Sequence, residues 1–168
     1  MAATVTLSES NGAGETVTAS ITNSNMGDVD AVNLDPVAYP ITPGNRSYAK
    51  YQRLCVSNMG GSSAIKNIKI WRTSALGGSA THVTNARLSS YGGAPTYATP
   101  VKTAITGADQ AMPTSVPATA NLGIGGSLTG SITSATTYTD YLIHQLVTDA
   151  GDVAGSTSTL NAQYDEVA

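Results

Sequence analysis

Residues 137–151 read TYTDYLIHQLVTDAG, and two structures compete for them. Leu142, Ile143, Leu146 and Val147 recur at helical spacing, which permits an amphipathic helix. The approach Thr136-Thr137-Tyr138-Thr139 and the β-branched and aromatic content favour a pleated strand instead. As a strand, Thr139, Tyr141, Ile143, Gln145 and Val147 form a core face. His144 then lies on the opposite face with Tyr138, Asp140, Leu142 and Leu146, pointing away from the core. The strand reading makes the chain all-β, and the rest of the sequence supports it.

The chain has 168 residues, enough for one domain with a sizeable core. It contains no Phe and one Trp, and only 11% of its residues are charged, about half the usual share. Thr, Val, Ile and Tyr suit strands, while Gly, Asn, Ser and Pro suit the turns between them. The period-two run at 16–22 predicts a half-buried strand, and 1–15 before it an extended or flexible arm. The segment NMGDVDAVNLDPVAYPITPGN reads as a long loop, because Pro36, Pro40 and Pro43 exclude a central strand. SYAKYQRLCVSNMGG puts Tyr48, Leu54 and Val56 on one face, with Tyr51 and Cys55 on the other. SAIKNIKIWRTS puts Ile68 and Ile70 on one side and Ile65, Lys69 and Trp71 opposite. Gly60-Gly61 between these runs predicts a hairpin. TYTDYLIHQLVT and TLNAQYDEVA read as a closing pair. The expectation is one domain over 1–168: a single antiparallel β-sandwich, jelly-roll or immunoglobulin-like, with seven to nine short strands and long Pro/Gly/Asn loops.

Charge is segregated along the chain. All eight Lys and Arg lie between Arg46 and Lys102, and no acid occurs from Pro36 to Ala108. Basic middle strands beside acidic outer segments would neutralise each other within the fold. The same polarity could dock one copy's basic face on another protein's acidic face. Scattered basic residues and a net charge of -3 oppose nucleic-acid binding. No apolar run approaches the length of a membrane helix, and the first residues lack the form of a secretory signal. Synthesis in a cytoplasm without membrane association is the expectation.

Motifs for catalysis are weak. GIGGSLTG around Ser127 fails G-x-S-x-G, because Thr129 stands where the second glycine belongs, and Leu128 breaks G-x-G-x-x-G. His82 and His144 could meet in space, and Asp140 or Asp149 could orient His144. Isolated strand histidines are commonly hydrogen-bonded residues without a catalytic part. Asp28, Asp30, Asn33 and Asp35 offer oxygen ligands for calcium, yet without the EF-hand order; turn capping by the same side chains is the alternative. Cys55 is alone, so no disulfide or thiolate metal site forms within the chain. No cofactor, catalytic residue or resident metal is expected.

From about Ser20 onward the chain resembles small virion proteins of tailed phages and prophages. The resemblance rests on the Asp-Asn-Pro loop, PITPGNRSYAKY, MGGS followed by I-x-N-I-K-I-W, ANLGIGGSLTG, YTDYLIHQLVT and the closing QYDE. It implies a structural role on the particle: a capsid decoration protein or a head or tail accessory component, located in the virion. Its implied partner is the major capsid protein or another virion protein, met as a homo-oligomer such as a trimer. Arg46, Lys50, Arg53, Lys66, Lys69 and Arg72 are the basic candidates for that contact, with Tyr39 and Tyr48 as anchors. A head–tail or tail-tip and baseplate component is one alternative. A carbohydrate-binding sandwich for host adsorption, dependent on Trp71 or calcium, is another.

Overall fold

A computed structural model describes residues 1–12, 14–89, 91–105 and 110–168. Among these residues the chain is all-β, with nine strands in two antiparallel sheets that form a sandwich. The strands are β1 (Thr4–Glu9), β2 (Lys50–Asn58), β3 (Ala64–Thr73), β4 (Thr81–Thr84), β5 (Gln110–Ala111), β6 (Ser131–Ile132), β7 (Thr137–Tyr138), β8 (Leu142–Val147) and β9 (Thr159–Val167). The larger sheet runs β1-β2-β8-β4-β5 with β7 also on β2; the smaller runs β6-β3-β9. No helix is long and apolar enough to cross a membrane among the described residues.

Residues 142–147 are a strand, as the β-branched content predicts. Ordered pairing begins earlier than expected. The N-terminal arm enters the sheet as β1, matched to β2 from Thr4↔Asn58 to Glu9↔Gln52. The segment expected as the first strand contributes only a bridge, Glu9↔Thr18, along the outer edge of β1. Its alternation is real, but β1 has already taken the place beside β2.

Two expected pairings do not form. β2 and β3 belong to different sheets, so Gly60-Gly61 arches across the sandwich where a hairpin was expected. Gly60 has φ +60°, and a Cβ there would run into the carbonyl oxygens of Met1 and Ala2. Gly61 N donates to Met1 O at 2.8 Å, which pins the start of the chain on this arch. β8 and β9 also lie in different sheets. Burial dictates both crossings, since β2 and β3 must face each other across the core.

That core is Leu54, Val56 and Leu142 from the large sheet against Ile65, Ile68, Ile70 and Ile132 from the small one. Strict alternation would send Ile65 away from Ile68 and Ile70, yet all three are buried. Asn67 takes φ +56° and the β3–β9 register slips between Lys66 and Lys69. This bulge adds one residue to β3 and returns Ile65 to the inner face. The other face of the large sheet carries a second cluster, Ala49, Tyr51, Val83 and Tyr141, covered by Tyr97 and Ile105.

Candidate functional site

Strand register builds a polar row on the inner face of the large sheet, beside the apolar core. Glu9 on β1 stands opposite Gln52 on β2; Lys50, two residues earlier, stands opposite His144 on β8. His144 in turn faces Thr84 on β4, and His82 lies two residues before Thr84 on the same side. Glu9, Lys50, Gln52 and His144 are each no more than 1% exposed, and His82 is 9%.

The hydrogen bonds form one directed chain. Lys50 Nζ donates to Glu9 Oε1 at 2.6 Å, and Gln52 Nε2 donates to Glu9 Oε2 at 2.7 Å. The Gln52 amide is thereby oriented, so its Oε1 accepts from His144 Nε2 at 2.9 Å and from Ser24 Oγ at 3.0 Å. A neutral His144 that donates through Nε2 must accept at Nδ1, so His82 Nε2 donates to it at 2.8 Å. The loop at 20–46 closes the row from above, with Ala31 O accepting from Lys50 Nζ at 2.5 Å.

Burial sets the charge states. It pushes His82 down to about 4, helped by the positive charge of Arg72. Burial drives His144 well below the usual imidazole range, and His82 and Lys50 push the same way. Both imidazoles are therefore neutral near pH 7, as the hydrogen-bond directions require. Burial raises the Glu9 carboxyl, opposed by the attraction and hydrogen bond of Lys50. The row holds one ion pair at one end and a neutral imidazole pair at the other.

Catalytically this arrangement lacks an essential contact. The carboxylate is separated from His144 by an amide, and the nearby hydroxyl, Ser24, meets Gln52 in place of an imidazole. What the geometry does well is fix register, because every member is hydrogen-bonded to a neighbouring strand or loop.

The expectation that His144 points away from the core is overturned. Both faces of β8 are covered, and His144 sits inside the sandwich. His82 and His144 do meet, but Asp140 does not orient them: it accepts from Tyr91 Oη at 2.6 Å and Gly126 N at 2.9 Å. Asp149 belongs to the turn closed by Asp152.

The calcium candidates diverge. Asp28 pairs with Lys102 at 2.5 Å, and Asp30 accepts from Asn11 and Gly12 N. Asn33 accepts from Thr22, and Asp35 caps Val37 N. Among the described residues no three His, Cys, Asp or Glu converge on a metal position. Asp30, Asn33 and Asp35 accept from backbone N–H groups as the capping alternative has it, whereas Asp28 is held by its ion pair with Lys102.

The basic candidates do not share a face. Lys50 is buried with Glu9 and cannot touch a partner, which removes it from the contact set. Arg53 stacks over Tyr141 at 4.0 Å and donates to its hydroxyl on the opposite side of the sheet. Arg46 is half-buried and donates to Gln145; Arg72 turns back to Ser74 O. Tyr48 is half-buried near Lys102, while Lys66 and Tyr39 are exposed and Lys69 half-buried. The pleat disperses a block that is continuous only in sequence. Acids from outside that block do neutralise it in part, at Glu9–Lys50 and Asp28–Lys102.

Glu9 and Gln52 escaped the sequence reading. The signal was parity: Lys50 and Gln52 share the β2 face assigned to Leu54 and Val56. No family model, characterised protein or solved structure matches this chain.

Proposed function

We propose that this chain is a non-enzymatic structural protein of a tailed-phage virion, a capsid decoration protein that docks on the outer shell as a multivalent oligomer. The observation that carries the reading is the internal use of its reactive side chains. Both imidazoles, Glu9 and Lys50 are sealed in one network that locks strands together. The exterior left to a partner is weakly charged and rich in Ser, Thr, Gly and Ala. Such a surface suits many weak contacts that sum across a lattice, since each attachment raises the effective concentration for the next. Short side chains also lose little entropy when fixed. The contact set narrows to Tyr39 and Lys66, which are exposed, with Lys69 half-buried on the same strand as Lys66, β3.

The test is add-back to particles that lack the protein. Bound chain should raise the temperature at which the shell releases its genome, and Lys66→Glu with Lys69→Glu should lower occupancy. Particles that gain neither mass nor heat resistance would contradict the proposal.

A further inference from the structure

The smaller sheet ends on a long open edge. β9 hydrogen-bonds to β3 along one side, and among the described residues no backbone group meets its other side. In an antiparallel strand about half of the residues turn N–H and C=O outward there. Other edges are closed or short. Thr18 and Ile21 line β1, Pro113, Asn121 and β6 line the far side of β3, and β5 has two residues.

Soluble proteins usually guard such an edge with Lys, Pro, a bulge or projecting charge. β9 contains no Lys or Pro, and its bulge lies on β3. Its two acids are tied into the fold: Asp165 accepts from Asn67 Nδ2 at 2.7 Å, and Glu166 from Ser62 Oγ at 2.6 Å and Ala3 N at 3.0 Å.

The strand is complementary to itself. Paired antiparallel about Ala162, it sets Leu160 against Tyr164, Asn161 against Gln163 and Thr159 against Asp165 of the second copy. Leu160 and Tyr164 both pack on the core side, so the pairing extends an existing apolar stripe. The Asp165 carboxylates end up six residues apart, about 20 Å at strand rise, so they do not oppose the contact.

We propose that β9 is a homodimerisation edge: two copies pair antiparallel through residues 159–165 about a two-fold axis at Ala162, and their small sheets merge into one. An isologous contact of this kind uses up both open edges and leaves none to propagate. The inference is independent of the virion reading, because it concerns the isolated chain.

Sedimentation equilibrium on the full chain tests it. The expected mass is twice the 17.0 kDa of one chain. Ala162 is exposed although it shares the face of Leu160 and Tyr164, so the lysine of Ala162→Lys reaches solvent and sets like charges face to face, with thermal unfolding of the variant as the control on the core. Dimer affinity should fall by about tenfold or more, and likewise for Ala162→Glu. An equimolar mixture of the two variants should recover the dimer, with circular dichroism unchanged throughout. A wild-type chain that stays monomeric at all concentrations overturns the proposal. So does an oligomer that survives both substitutions, or a mixture that fails to re-pair.

Discussion

At the residue scale the molecule turns on Glu9 and Lys50, two opposite charges removed from water together. Each alone would be strongly unfavourable; as a hydrogen-bonded pair they are tolerated. Glu9→Gln should therefore cost about 3–5 kcal/mol by urea denaturation, because Lys50 keeps a buried charge without its partner. Glu9→Gln combined with Lys50→Met should recover most of that loss. His144→Ala is no longer a neutral surface change. It opens a cavity and leaves His82 Nε2 without an acceptor, at about 2–4 kcal/mol. The pH dependence follows from the imidazoles. Their native pKa values lie below the unfolded value near 6.5, so the unfolded chain takes up protons first as pH falls. The contribution of His82 is full above pH 6.5 and is lost toward pH 4, about 3 kcal/mol, and His144 acts in the same direction. Glu9 acts in the opposite sense, since a raised carboxyl favours the native state on acidification. Chemical denaturation at pH 7 and pH 4.5 checks the balance, and His82→Gln should flatten the drop.

At the element scale, the long inner strands were legible, whereas β1, which was read as an arm, and the partnership of the strands were not. β2, β3 and β8 stand where alternation and β-branched content place them. Pairing failed because adjacency in sequence suggests hairpins, whereas Gly60-Gly61 carries the chain to the other sheet. The face of Ile65 was misread for a related reason: period two cannot reveal an inserted residue. Asn67 is the one visible clue, since Asn tolerates the left-handed region better than most residues. Asn67→Gly should change stability by about 1 kcal/mol or less, while Asn67→Val should cost about 1–2 kcal/mol from backbone strain. Deleting Asn67 should be far worse, because it turns Ile65 out to solvent or forces the register of β3 on β9 to slip. Thermal unfolding of the three variants ranks them.

At the scale of the whole molecule, composition indicated an all-β chain and two sheets do enclose an apolar core, but β8 gives it Leu142 from the face read as outer, and Ile65 joins it. The polar row was half legible: parity placed Lys50 and Gln52 with the core residues, but only tertiary pairing could bring Glu9 and His82 to them. The basic block, continuous in sequence, is scattered over several faces by the pleat and partly neutralised by Glu9 and Asp28. What remains outside is a weakly charged surface with scattered apolar residues such as Val37, Leu88 and Val153 and, among the described residues, the long open edge of β9. This exterior is the one proposed to associate with copies and with a capsid shell. Quantitative mass spectrometry of purified particles, referenced to the major capsid protein, tests this most directly. The account predicts a stoichiometry that scales with the capsomers of the shell. A handful of copies per particle would place the chain in the tail, and its absence from particles would contradict the account altogether.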